Sequence, residues 1–386
     1  NKTGTENGTI TFTAANTAVT GLTRTYQWQV STDTGATWTN VSTGSTNAST
    51  GAYTTGLLTQ SMTGYLYKLT VTDTDANGLS TSTTTSSASL TVNPPIVIAG
   101  GQATLTATVG KSATSSAFTA TGGTGLLTWS ISTRTGLSIT SGGVVTIATN
   151  ATSGITTETV TVTDASGAFV TTNITISINS SISITGSASV TSTYGAGTET
   201  TAYTWSGGTG TLTPTFSART TGINFDSGTG KFTVASNVGF GTYSETLTVT
   251  DSLGAVTNLL MTFTVNKATG PVVTANTWSI AQGATVTPSA TVSGLQLTDT
   301  ATVSTATYKY EGKNSTSYAQ SPTAPTGAGE YTVTPSAATL VFTVGSANNY
   351  GSPSYVAGSL TIIGSARVPT YGTATPTTTG FTLQIL

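Results

Sequence analysis

The chain has 386 residues, 11 Lys and Arg against 13 Asp and Glu, a formal charge of −2, and neither Cys nor His. Charged residues are 6% of it, against about 25% in typical soluble domains; this excludes a basic stripe for nucleic acid, a thiol or imidazole nucleophile system and a disulfide framework. Thr fills roughly a quarter of the chain beside an apolar content of 36%, a profile of hydroxyl-surfaced β-structure and not of disorder.

From the N-terminus, Ile10-Thr11-Phe12 and Tyr26-Gln27-Trp28-Gln29-Val30 alternate with the period of a half-buried strand. Asp33-Thr34-Gly35 with Trp38 behind it reads as a hairpin. Tyr65–Val71 runs into an acidic turn, and Leu90-Thr91-Val92 closes the first module before Pro94-Pro95. The run Leu69-Thr70-Val71-Thr72-Asp73 returns as Val160–Asp164 and Leu247–Asp251, each followed by a glycine (Gly78, Gly167, Gly254). Spacings of 91 and 87 residues between the three Asp predict one β-sandwich per repeat, with Asp and Gly supplying the turn. The stretch 26–38, with its strand Trp and a Tyr-bearing strand further on, resembles bacterial immunoglobulin-like modules, without their inter-sheet disulfide.

Residues 94–179 and 180–266 align with each other. Gly122-Gly123-Thr124-Gly125 matches Gly207-Gly208-Thr209-Gly210, and Thr135-Gly136 matches Thr221-Gly222. Their order of motifs resembles the cadherin-like, immunoglobulin-type repeats of bacterial surface proteins. Pro214 stands where the other repeat has Trp129, so Phe216 or Phe225 is expected to fill the third core. In residues 267–363, Tyr308–Gly312, Ser321–Thr326 and Gly329–Pro335 lead to Asn349-Tyr350 and Leu360-Thr361-Ile362. That order resembles the MBG-type repeats found in tandem in large bacterial adhesins. Tyr331–Pro335 is the expected counterpart of the recurring strand, with Pro335 in place of the Asp. Residues 364–386 end in Phe381–Leu386, one strand with no partner of its own, read as the start of a further module.

The string Asp73-Thr74-Asp75-Ala76-Asn77-Gly78 matches the first half of a calcium loop, but Thr84 stands where the bidentate Glu belongs. Asp73, Asp75 and Asn77 are therefore candidate ligands for calcium, against the simpler reading of a hairpin turn; no other cofactor is expected. The module junctions Asn93-Pro94-Pro95 and Asn179-Ser180 carry no acidic cluster of the cadherin-linker kind. Lys111 and Lys231 are candidates for a Lys–Asn cross-link, against the simpler reading of solvated lysines. Trp28, Trp129 and Trp205 read as core, while Trp38 and Trp278 are candidates to line a glycan or partner surface.

No apolar run approaches the roughly 18 residues of a membrane span, and no signal peptide opens the chain, so Asn1 is expected downstream of a removed or further segment. The expectation is an all-β fold of tandem Ig-like β-sandwich modules arranged as an elongated rod: 1–93, 94–179, 180–266, 267–363, and a beginning at 364–386. Strands of about nine residues give modules about 30 Å long, and the Pro-bearing junction at Val92–Ile96 favours stiffness. The function expected is a non-enzymatic extracellular scaffold of the bacterial cell surface (surface layer, filament or adhesin stalk). Its first expected partner is itself, since few charges guard its strand edges. The alternatives are an adhesin binding a glycan, such as one of the cell wall or surface, or a host surface through loops of one module, and a phage or virion surface protein.

Overall fold

The computed structural model describes residues 1–366 except 16 and 18; the strand expected at Phe381–Leu386 lies outside the described residues. Among these the helical turns are single 3-10 turns at Gln60–Met62 and Ala347–Asn349, and the remaining regular structure is strand. By compactness the chain divides into two units. One holds Asn1–Ile184 with Trp205–Pro214 and Thr248–Asn258; the other holds Thr185–Thr204, Thr215–Leu247 and Leu259–Leu386.

In the first unit, the strands from Lys2 to Asn93 form a six-stranded and a three-stranded sheet facing each other. Thr23–Ser31 pairs antiparallel with Leu66–Thr74, setting Trp28 opposite Leu69 and Tyr26 opposite Val71. Alternation turns Trp28, Tyr67 and Leu69 inward, where they meet Phe12 and Tyr53 of the second sheet. Phe12 stacks on Tyr67 at 4.6 Å, and the Trp28 indole N–H donates to the Gly51 carbonyl at 2.7 Å, so the ring is buried without an orphaned donor. Lys2–Thr5 runs parallel to Ala88–Asn93, with Thr5 opposite Asn93.

The strands from Val97 to Asn179 repeat this plan. A four-stranded sheet contains Gly154–Thr163 and Phe169–Asn179 as its long hairpin. Thr104–Thr108 lies parallel to the end of that hairpin, with Thr108 opposite Asn179. Val160, Ile174 and Ile176 pack against Phe118, Val145 and Ile147 of the facing layer. Each such apolar side chain stabilises by roughly 1.5–3 kcal/mol on burial, which replaces what a disulfide supplies elsewhere. Trp129 is half-buried against this core, and Trp205 with Leu212 covers Ile182, Val249 and Ala255.

In the second unit, Ser189–Thr193 runs parallel to the end of Val256–Asn266, and Thr193 lies opposite Asn266. Both Phe216 and Phe225 enter the core, around fully buried Phe232 and Phe263; the expected replacement of the missing Trp is a cluster of four rings. Further on, Thr300–Lys313 and Gly329–Val344 form the longest hairpin, with Leu360, Ile362, Val333 and Tyr331 in the core and Trp278 half-buried against it.

Pro335 differs from expectation. It ends no strand: it is buried inside Gly329–Val344, opposite Tyr308. The register shifts between Val303 and Thr307 on the partner strand, and Ala337 adopts φ 48°. These irregularities lie beyond Pro335, which keeps register with Thr334 opposite Lys309 and Ser336 opposite Thr307. Pairing on the other edge, with Gly358–Ile363, ends at Val333, so the proline stands past the last position there that would need its missing amide.

Candidate functional site

Two turns in the first unit share one construction. The Asp164 amide donates to the Ala168 carbonyl and Gly167 to the Asp164 carbonyl; Asp251 repeats this with Ala255 and Gly254. In each, the carboxylate oxygen Oδ1 accepts the amides two and four residues on: Ser166 and Ala168 at 2.9 and 3.0 Å, Leu253 and Ala255 at 2.9 and 2.8 Å. The third member is Asp75, not Asp73. Asp75 pairs with Leu79 and Gly78 in the same backbone pattern, and its Oδ1 accepts from Asn77 and Leu79 at 2.8 and 2.9 Å. Asp73 is a strand residue opposite Arg24, and the guanidinium grips both its oxygens at 2.6 and 2.7 Å.

The second oxygen of Asp164 and of Asp251 reaches out of its own sandwich. Thr5 donates its hydroxyl to Asp164 Oδ2, and Thr108 donates to Asp251 Oδ2 at 2.5 Å. The glycine loops complete each site: the amides of Thr124 and Thr209 donate to the same oxygens at 2.8 and 2.9 Å. Gly123 and Gly208 make this approach possible at φ 76° and 67°, where a Cβ would stand 3.2 and 3.1 Å from the Asp Cβ.

The proton order is fixed by elimination. A hydroxyl has one proton, and Thr5 gives its own to Asp164. Thr124 Oγ1, 2.8 Å from Thr5 Oγ1, is therefore the donor of that pair, and it accepts in turn from Asn93 Nδ2 at 3.1 Å. The result is a chain Asn93 to Thr124 to Thr5 to Asp164. The same chain runs Asn179 to Thr209 to Thr108 to Asp251, at 2.9, 2.7 and 2.5 Å. In both, the Asn and the proton-giving Thr are opposite partners on parallel strands at the end of one sandwich, while the acid and the loop belong to the strands that follow.

Both carboxylates are 5% exposed. Burial works against their charge, yet hydrogen bonds from Thr5, Ser166 and the amides of Thr124 and Ala168 outweigh it and hold the Asp164 carboxyl below the usual range. Asp251 is lowered in the same way by Thr108, Thr209, Ala255 and Leu253.

In the second unit a bracket of different residues follows the Thr193–Asn266 pair. Asp299 Oδ2 accepts the hydroxyls of Tyr194 at 2.9 Å and Tyr350 at 2.7 Å, whose rings meet edge to face at 5.7 Å. Backbone bonds from Ala268 to Asn349 and from Gly351 to Ala268, and from the Phe240 amide to Asn349 Oδ1 at 2.9 Å, join the same segments. Burial first and the neighbouring carboxylate next push the Tyr350 phenol up to about 12, and Tyr194 up as well.

Buried glutamates sit six residues before Asp164 and Asp251. Glu158 accepts from Ser132 and Thr156, with Arg134 at 3.8 Å. Glu245 accepts from the Ser217 hydroxyl at 2.5 Å and the Thr220 amide at 2.9 Å. The sequence signal for this second repeat is the spacing itself: Ser-x-Arg, then a Glu six residues ahead of the Asp.

Of the calcium candidates, Asp73 is held by Arg24, whereas Asp75 and Asn77 share the turn. Among the described residues no three acidic, His or Cys side chains gather as a metal-binding group. Lys231 forms an exposed ion pair with Glu199 at 2.6 Å, and Lys111 is exposed. Trp38 is half-buried under the Lys68 ammonium, 4.0 Å from the ring.

No protein-family model matches the chain, and no curated protein matches it. Among solved structures, the human desmocollin-1 ectodomain aligns over 94% of this chain and 80% of its own, at 12% identity and a TM-score of 0.31. Sidekick-1 immunoglobulin domains 1–5 align over 94% and 79%, at 12% identity and 0.29. Protocadherin gamma B2 extracellular cadherin domains 3–6 align over 94% and 98%, at 13% identity and 0.28.

Proposed function

We propose that the chain is a non-enzymatic extracellular structural protein, a serial scaffold of a bacterial surface layer, filament or adhesin stalk. The observation that carries this reading is the bracket, repeated residue for residue at Asp164 and Asp251 and rebuilt at Asp299. A linker alone leaves neighbouring domains free to swing. A buried carboxylate that takes a hydroxyl from the preceding sandwich fixes an orientation, because a charge-assisted bond is short and directional. The hydroxyl-rich, charge-poor surface supports contact with copies of itself. The edge strand Thr300–Lys313 carries its charges at Lys309, Glu311 and Lys313 and none from Thr300 to Tyr308, leaving the first stretch without the usual guard against pairing.

A second reading has its own support. A cleft of about 460 Å³ lies beside the first bracket, between Glu6–Thr9 and Ser166–Val170, with Phe169 65% exposed at its rim. An aromatic ring among Asn and Ser side chains suits the apolar and hydroxyl faces of a sugar, as an adhesin requires. Negative-stain electron microscopy of the purified chain separates the two. Lattices or fibres are expected; single particles that bind a glycan array overturn the scaffold in favour of the adhesin.

A further inference from the structure

The Asp75 turn has the backbone and Oδ1 geometry of the two bracket turns, but among the described residues its carboxylate receives neither the loop amide nor the Thr hydroxyl that reach Oδ2 of Asp164 and Asp251. Its Oδ1 takes the amides of Asn77 and Leu79, and each donor that reaches the carboxylate among the described residues comes from within 75–79. Asp164 and Asp251, with the same backbone, each receive a Thr hydroxyl from a neighbouring sandwich. The surroundings differ in the same sense. Leu79 is 73% exposed, whereas Ala255, its counterpart in the Asp251 turn, is 6% exposed. Strand register places Thr23 opposite Thr74 and Thr74 opposite Ser80, so Leu22, 37% exposed, lies at the same end of the sheet as Leu79.

We infer that the Asp75–Leu79 end of the first sandwich is a docking face for another β-sandwich, one whose terminal parallel strands present a Thr hydroxyl beside an Asn. The incoming Thr donates to Asp75 Oδ2, as Thr5 and Thr108 do to their acids, and the apolar rim of that sandwich covers Leu79 and Leu22. The two occupied brackets in this same chain set the chemistry of the occupant: a hydroxyl donor to meet the carboxylate, and an apolar edge in place of a charged one. The inference rests on the reading of Asp164 and Asp251 as junction brackets.

The test uses the full chain and a longer version of it. A second copy of residues 94–188 is placed ahead of Asn1; Ala188 then joins Asn1 with the spacing that Ala188 has to Ser189, and the copied Thr108–Asn179 end faces Asp75. Amide exchange at Asn77 and Leu79 is followed in both chains, with and without Asp75→Asn and with Thr108→Ala in the copy alone. Protection of Leu79 is expected to rise about ten-fold or more in the longer chain. Either substitution should abolish that rise, and the two together should do no more than one. Equal exchange at Leu79 in the two chains overturns the inference. Asp164→Asn, measured at Ser166 and Ala168 in the same samples, separates the outcomes. If it leaves those amides unchanged, the bracket reading itself falls; if it exposes them while Leu79 does not respond to the added sandwich, only the docking face falls.

Discussion

Asp251→Asn keeps the size of the side chain and removes one charge and one acceptor. With the amide oxygen left on Leu253 and Ala255, the new NH2 points at the Thr209 amide and the Thr108 hydroxyl, which reach Oδ2 at 2.9 and 2.5 Å in the native protein. Thr108 can turn its proton towards Thr209 Oγ1, but the Thr209 amide then has no acceptor. The flipped rotamer is worse, since it sets the NH2 against two amides. A hydrogen bond to a charged group contributes about 1.5–3 kcal/mol and an orphaned buried donor costs about 1–3 kcal/mol; the two overlap here, giving roughly 2–4 kcal/mol. Several sandwiches in one chain make a single global unfolding energy ill-defined, so the readout is local amide exchange at Thr209, Leu253 and Ala255. Exchange should accelerate roughly thirty-fold to several hundred-fold, while amides of the Phe232 core stay protected. Acceleration below about three-fold would refute the account of a bracket held by charge.

Acid should open the same sites. Asp164, Asp251, Glu158 and Glu245 all have lowered native values, so the stability they supply is present above their unfolded values near 4 and is lost as pH falls through the native ones; Asp251→Asn should flatten that acid limb in a melting-temperature series. At the alkaline end, Tyr350 keeps its proton to about pH 12, and its contribution is present below about pH 10 and lost as pH rises towards 12. Tyrosinate absorbance should show a late-titrating phenol that Tyr350→Phe removes. Calcium at Asp73, Asp75 and Asn77 has to displace Arg24 from Asp73, so EDTA is expected to leave the melting temperature unchanged; a rise on adding calcium that Asp75→Asn abolishes would establish the site.

The strands were legible because alternation is written into them: Tyr26–Val30 and Val160–Thr163 turn their apolar members inward as read. The frame of the first turn was not. A shift of one residue would have reversed the faces, but the strand Leu66–Thr74 overruns the shared Leu-Thr-Val-Thr-Asp pattern by an even step, which leaves the alternation intact and moves the turn acid to Asp75. The step from the acid to its glycine and the apolar residue after it, Asp75-Ala-Asn-Gly-Leu against Asp164-Ala-Ser-Gly-Ala, carries the right alignment. The bracket was half visible: the Gly-Gly-Thr-Gly loops and the acids stood out as repeats. Their hydroxyl partners did not, because Thr5 and Thr108 look like every other Thr in a chain that is one-quarter Thr. Pro335 shows the opposite failure: a residue with no amide for the ladder reads as a strand end, yet Gly329–Val344 runs on past it, because pairing with Gly358–Ile363 has already stopped at Val333.

The brackets also order events in time. Thr5 waits for an acid 159 residues further on, and Thr108 for one 143 residues further on. A chain emerging N-terminus first from a ribosome or an export pore therefore cannot finish the lower end of one sandwich until the next has folded its hairpin. At both brackets the later acid closes the end of the earlier sandwich, so a chain interrupted before Asp164 or before Asp251 leaves Thr5 or Thr108 without its acceptor.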